Sequence, residues 1–259
     1  MYTAAVYQTD MDVTGPVSTT ARSLRMLSYI DLHGPTAMGA ICRDLDLSRS
    51  TAHEHINTLL AAGLVDRRGG HYVLGFRLYH LGERARQQVT GYPEIVRTVR
   101  QLADSHELEI DFSVRADAEM VVIADEVGGS SRLGFQLGEV FPIHACASGK
   151  AILATLPQEE RQSLLGPGPL RAVTDETLTD IGALEEELER TQERGYAVNR
   201  GESNPGIISV ATVVRAPVGQ PIGALAISDA VYRAPPVEQM GRWLLEAGSD
   251  LEDDILGNT

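Results

Sequence analysis

Lysine is all but missing from this chain: Lys150 is the only one, against 21 arginines. Two sources of that bias stay open, a GC-rich genome or the acidic, lysine-poor surface of a salt-adapted archaeal protein. On the second, exposed charge pairs would contribute little, since the Debye length at 1 M salt is about 3 Å. Cysteine is nearly as scarce. Cys42 and Cys146 are too few and too far apart for a disulfide framework and lack the paired spacing of a zinc site, so both are expected to be buried thiols and no metal is expected. Nowhere do about 18 apolar residues follow one another, which excludes a membrane span. The N-terminus also lacks a basic segment followed by an apolar run, which excludes a signal peptide, so the expected location is cytoplasmic. There is no internal repeat and no Gly-rich phosphate fingerprint. Gly149-Lys150 does not make a phosphate loop, because His144 and Ala151 stand where Gly and Ser or Thr are needed. No cofactor is expected, and Lys150 reads as a helix residue pairing with a local acid.

The charge present is unevenly placed. The net charge of -14 over 259 residues opposes binding to a polyanion. Residues 18–90, however, carry nine arginines against six acids, whereas residues 91–259 carry 13 basic and 28 acidic residues. Such asymmetry points to a different partner for each half, and the length suits two domains.

Residues 1–16 read as a loose arm with Gly15-Pro16. From Val17 to Leu32, Leu24, Leu27 and Ile30 recur at helical spacing beside Met26 and Tyr29, and His33-Gly34-Pro35 stops the helix. Thr36 is the expected cap of a short helix, Ala37 to Leu45, and Ser48 of the next. In that third helix Ala52, Ile56, Leu59, Leu60 and Gly63 form an inward face. Ser50, Thr51, Glu54, Asn57 and Thr58 lie opposite, with Arg49 at the positive N-terminal end. Two strands follow, 64–68 and 71–74, around a Gly69-Gly70 turn. This is the layout of a winged helix-turn-helix, whose second helix reads the major groove of DNA.

Phe76 to Gln88 suits a linker helix, and a second domain begins near Tyr92. Its first helix is expected to run to about Glu107. Strands are expected over 110–114, 120–124, 131–136, 207–214 and 222–227, the last two central, and helices over 147–156, 180–194 and 236–255. The fold class is therefore α+β: a winged helix-turn-helix over 17–75, a linker helix over 76–91 and an α+β ligand-binding module over 92–259.

Candidate DNA contacts are Arg22, Ser48, Arg49, Ser50, Thr51, His53, Glu54 and Asn57, together with Arg67 and Arg68 in the wing. His53 and His55 are two apart and point to different faces, unlike a zinc-binding pair, which needs four; His53 is expected near DNA and His55 in the packing. Cys146 beside His144 invites a nucleophile or redox-sensor reading, but no third orienting group is evident, and a small buried pocket-lining residue is the better one. The run of glutamates from Glu185 is a solvated helix face.

From about Val17 to its end the chain resembles the IclR-type transcriptional regulators. The matching motifs are Ser50-Thr-Ala52 with Thr58-Leu59 and Ala62-Gly-Leu64, and His71-Tyr-Val-Leu-Gly-Phe-Arg-Leu78 with Leu81-Gly82. Further on come His144-Ala145, Gly149-Lys-Ala-Ile-Leu-Ala154 and Glu193-Arg-Gly-Tyr-Ala197. The resemblance implies a homodimer or dimer of dimers on double-stranded, pseudo-palindromic operator DNA, repressing or activating, and no enzyme. It also implies a GAF-like C-terminal domain sensing a small metabolite such as an organic, sugar or aromatic acid. Its pocket would be formed by backbone amides at Ala147-Ser148-Gly149, by Asn199 in place of an Asp, by Ser209 in place of a Cys, and by Ala226 and Ser228 in place of a Ser-x-Ser pair. His144 and Cys146 join the candidate effector contacts. Many relatives carry Arg where Glu54 stands, so Glu54 is either a base reader, accepting from cytosine N4, or a brake on nonspecific binding. Two rivals stand beside the ligand-responsive regulator. One is an enzyme with His144 and Cys146 as its only candidate groups; the other is a constitutive or architectural DNA-binding protein with a vestigial pocket.

Overall fold

A computed structural model describes residues 17–129, 133 and 136–257. The expected N-terminal arm lies outside them. The chain divides into two compact units, with the break between Gln88 and Val89.

The first unit contains α1 (Ser18–His33), α2 (Met38–Asp44), α3 (Arg49–Ala61), β1 (Val65–Arg68), β2 (His71–Leu74) and α4 (Phe76–Gln87). Met26, Ile30, Ile41, Ala52, Ile56, Leu59, Val65 and Tyr72 make its core. On α1 the buried seam runs through Met26 and Ile30 at i,i+4; of the expected Leu24, Leu27 and Ile30, Ile30 is buried and Leu24 is 40 % exposed, so the packed face is rotated toward Met26. Ser48 caps α3 as expected, its Oγ accepting from the Thr51 amide at 3.2 Å. Thr36 does not cap α2. Its backbone is extended and pairs both ways with Tyr72, at 2.9 and 2.8 Å, adding a bridge to the wing. With its backbone committed to β2, Thr36 turns its hydroxyl back to the Gly34 carbonyl, and Ala37 takes the cap position without a side-chain bond.

β1 and β2 pair antiparallel around Gly69 and Gly70, whose φ values of 55° and 86° give the doubly left-handed turn that matches strand twist. Gly75 closes the wing. A Cβ there would sit 2.2 Å from the Gly63 carbonyl oxygen, so only glycine permits this approach. α4 buries no residue within the unit, and Phe76 and Tyr79 are 74 % and 67 % exposed.

The second unit is built on one antiparallel sheet of six strands in the order β5-β4-β3-β8-β7-β6. In chain order these are β3 (Glu109–Ala116), β4 (Glu119–Val127), β5 (Val140–Pro142), β6 (Ala197–Arg200), β7 (Ile207–Arg215) and β8 (Pro221–Ala230). The helices are α5 (Tyr92–His106), α6 (Ala147–Leu153), α7 (Gln158–Leu165), α8 (Ile181–Arg194) and α9 (Val237–Gly257). Strand alternation separates two cores. Ile110, Phe112, Ile208, Val210, Leu225 and Ile227 face α5 and α9. Ala197, Ala211, Ala224 and Ala226 face α6 and α8, where small residues let α6 lie close to the sheet.

Both strands expected to be central are interior. Three elements went unpredicted, β5, β6 and α7, all of them short. The strand expected over 131–136 falls mostly outside the described residues; Leu133 and Gln136, which are described, belong to no strand.

Candidate DNA-reading surface and effector cavity

α3 presents its polar face to solvent. Arg49, Ser50, His53, Glu54 and Asn57 are exposed at the three-to-four spacing of one helix side, and Thr51 is half-buried. Ser48 is exposed but engaged: besides capping, its hydroxyl donates to Thr51 Oγ1 at 2.9 Å. His55 packs, as expected of it, with Nδ1 2.7 Å from Ser23 Oγ on α1. Arg22, one residue earlier on α1, is exposed.

The wing arginines are held by aromatic faces. The Arg67 guanidinium lies 6.0 Å from the Tyr72 ring centre and that of Arg68 lies 5.6 Å from Phe76. Such stacking orders a long side chain while leaving its donors open. Arg22, Arg25, Arg49, Arg67, Arg68, Arg77 and Arg84 form no ion pair with described residues, and neither does Glu54. Unpaired arginines are what a phosphate backbone can take up.

In the second unit, a cavity of about 30 Å³ lies between the sheet and the head of α6. That is room for about two waters. Register explains its lining. Asn199, Ser209, Ser228 and Glu109 form one row across β6, β7, β8 and β3; two residues along, Ala197, Ala211, Ala226 and Asp111 form the next. The first row is polar and the second small, so the sheet surface under α6 is both hydrophilic and hollow.

Of the expected effector contacts, Cys146, Ala147, Ser148, Ser209 and Ser228 line the cavity together. His144 and Asn199 do not. His144 Nε2 sits 2.9 Å from the Arg171 carbonyl, and Asn199 Nδ2 donates to the Ala145 carbonyl at 2.6 Å, so both brace the wall from behind. Asp111, Ser113 and Ser203 line the cavity and were not foreseen. For Asp111 and Ser113 a signal existed: they alternate with Ile110, Phe112 and Val114, which places them on the face opposite the α5/α9 core. Ser203 lies in a loop, and no pattern announces it.

Asp111 is the charged group of the lining, 8 % exposed. Ser113 Oγ donates to its Oδ2 at 2.9 Å, and no described residue donates to Oδ1. Burial pushes this carboxyl up to about 7; the Ser113 bond opposes the shift, and the charges of Glu109 on the same strand and Asp125 across on β4 add to it. Burial likewise pushes the Cys146 thiol up to about 12. Its sulfur accepts from the Gly149 amide at 3.3 Å, and such a thiol is a poor nucleophile.

Lys150 is buried and pairs with Glu202 at 2.5 Å, an acid 52 positions away and not a local one. The Asn199 side chain accepts from the Glu202 amide at 3.0 Å, and Thr177 Oγ1 donates to the Glu202 carbonyl at 2.7 Å. These bonds tie the loop that carries Ser203 to the head of α6. Among the described residues no cluster of three or more His, Cys, Asp or Glu could hold a metal ion.

Residues 93–252 match the family described as bacterial transcriptional regulator IclR C-terminal, and residues 18–70 match the MarR family. The chain is 34 % identical over 209 residues to an HTH-type transcriptional regulator of Mycobacterium tuberculosis, covering 78 % of each. It is 27 % identical over 251 residues to the acetate operon repressor of Salmonella typhimurium, covering 94 % of this chain and 92 % of that one. An IclR homolog from Microbacterium hydrocarbonoxydans, solved in complex with 4-hydroxybenzoate, is similar at a TM-score of 0.73 and 26 % identity, covering 92 % of this chain and 99 % of that one.

Proposed function

Since the chain belongs to the IclR family of transcriptional regulators by its match over residues 93–252, we propose that its operator binding is modulated by an organic, sugar or aromatic acid held in the α6-side cavity. At the coarser level it is a DNA-binding regulator with an effector-binding C-terminal domain, not an enzyme. The exposed polar face of α3 flanked by unpaired arginines carries the DNA half of this reading. Arg49, Ser50, His53 and Asn57 reach base edges or phosphates, and Glu54 reaches a base edge. Arg22, Arg67 and Arg68 grip the backbone beside them, with Ser48 and Thr51 setting the helix start.

For the effector half, the support is a cavity lined by Cys146, Ala147, Ser148, Ser209 and Ser228 in a domain whose relative was solved with a hydroxy-aromatic acid. Its volume has to grow to admit any such ligand, and the three-residue edge strand β5, which brings Phe141 to the wall, is held by pairing on one side only. A homodimer, or a dimer of dimers, covers the exposed face of α4 around Phe76 and Tyr79 and sets the two reader helices against half-sites in the cytoplasm. The effector shifts the equilibrium between such arrangements by binding one more tightly.

Fluorescence anisotropy on the DNA upstream of the chain's own gene tests this. Binding at about 0.15 M salt that weakens steeply with added salt is expected. Its absence, or binding untouched by Arg49→Ala, would overturn the reading. Light scattering of the full chain should give twice or four times the 28.0 kDa monomer mass.

A further inference from the structure

A buried carboxylate in a protein interior is ordinarily matched by a cation or by several donors, because the charge loses its hydration there. Asp111 has neither. One hydroxyl, that of Ser113, serves Oδ2, while Oδ1 takes no bond from a described residue and its carboxyl lines the cavity. The neighbours worsen its position: Glu109 is two residues along the strand, Asp125 lies directly across on β4, and β8 opposite offers only Ala226. Cys146, at the head of α6, is a buried thiol.

Most other polar groups of the wall are already occupied, the neutral Ser148 hydroxyl being the exception. Ser209 and Ser228 share a hydrogen bond of 2.8 Å, and the Cys146 sulfur accepts from Gly149. Among the described residues no arginine or lysine lines the cavity, and Lys150 is taken by Glu202. Among the described residues the strongest open acceptor of the lining is therefore Asp111 Oδ1.

We infer that Asp111 selects the ligand: the effector brings an O–H or N–H donor to Oδ1, so that hydroxy- and amino-substituted acids are accepted and the unsubstituted acids of the same skeleton are rejected. This rests on the reading of the cavity as the effector site. A donor turns the carboxylate's cost into a charge-assisted hydrogen bond, whereas an unsubstituted acid offers Oδ1 no donor and leaves it unpaired. Metal coordination does not account for the group, since it stands in no ligand cluster among the described residues.

Calorimetric titration of the full-length protein with matched sets tests the inference: propionate, lactate and alanine; succinate, malate and aspartate; phenylacetate, mandelate and phenylglycine. The expected result is that, in each set with a binder, a donor-bearing member binds roughly tenfold or more tightly than the unsubstituted acid. In Asp111→Asn and Asp111→Ser that preference should collapse. Equal binding of the unsubstituted acid, or a preference unchanged in either folded variant, overturns the selection by Asp111 and leaves the effector site standing. Silence from every set overturns the acid-binding site and this inference with it. The wild-type preference decides the matter even where a variant does not fold.

Discussion

Replacing Asp111 with asparagine should stabilise the second unit, and by an amount that depends on pH. The folded carboxyl titrates at about 7 against an ordinary value of 3.8. Below pH 3.8 both states hold the proton, and ionisation costs nothing. Between 3.8 and 7 the unfolded chain releases its proton while the folded chain keeps it, so stability falls as pH rises. Above 7 the full cost is reached, at most ~4 kcal/mol for a shift of about three units at 1.36 kcal/mol each. The asparagine side chain would have the same shape and still accept from Ser113, but it carries no charge, so the cost disappears. The gain of Asp111→Asn over wild type should therefore rise by roughly 2–3 kcal/mol from pH 5 to pH 8 and then level off. Urea unfolding followed by tryptophan emission reads the right unit, because Trp243 is the only tryptophan and packs on α9 against His106. A gain that is flat between pH 5 and pH 8, or a loss that deepens over that range, would refute the assignment of Asp111 as a buried carboxylate ionised at a cost.

Gly75→Ala should destabilise the winged unit by about 1–3 kcal/mol, since the new methyl collides with backbone and not with a side chain that can swing away; thermal unfolding by circular dichroism measures it. Glu54→Ala should weaken binding to operator about 5- to 100-fold and leave scrambled DNA no weaker, and equal gains on both duplexes in anisotropy would eliminate base reading. Lys150→Met strands the buried Glu202 carboxylate and should cost about 3–5 kcal/mol, much of it restored by adding Glu202→Leu; a single variant as stable as wild type in urea would show that the pair is not closed. With its thiol pushed up to about 12, Cys146 should stay unmodified by iodoacetamide in the native protein at pH 8 and react on unfolding, as peptide mass mapping would report.

The elements that long periodic patterns announce, α3, α5, α8, α9, β7 and β8, stand where the sequence places them, because each buries a stripe that its residues repeat several times. The short ones did not announce themselves. β5 and β6 have three and four residues, too few to show alternation, and exist because long neighbours template them. Thr36 shows the same limit: a threonine before a helix looks like a cap, but the pairing of its backbone with Tyr72 outweighs a single capping bond. In the site, the residues adjoining α6 were legible from motif order. Asn199 stands outside the cavity lining because a side chain on the cavity-side row can still turn to a backbone carbonyl, and a sequence says nothing about that choice.

The two faces of the sheet in the second unit show how the fold makes room for a ligand. Against α5 and α9 it packs Phe112, Ile110, Leu225, Ile227 and Val210, a core whose large side chains fill space and supply stability. Against α6 the same strands offer alanines, serines and Asp111, and Gly149 lets the turn before the helix fold onto its first residues, where a Cβ would sit 2.0 Å from the Ile143 carbonyl oxygen. A face built only for stability would fill that hollow and pair or remove the carboxylate, since either change lowers the folded state's free energy. Keeping both holds the unit below the stability its length allows, and the deficit is what a bound ligand can recover: donors to Oδ1, apolar contact with Phe141 and Val122, and a filled void. Affinity for the effector and instability of the empty cavity thus come from the same residues. A variant that relieves the instability, Asp111→Asn above all, should lose response to the ligand in the same measure, read as operator affinity with and without it.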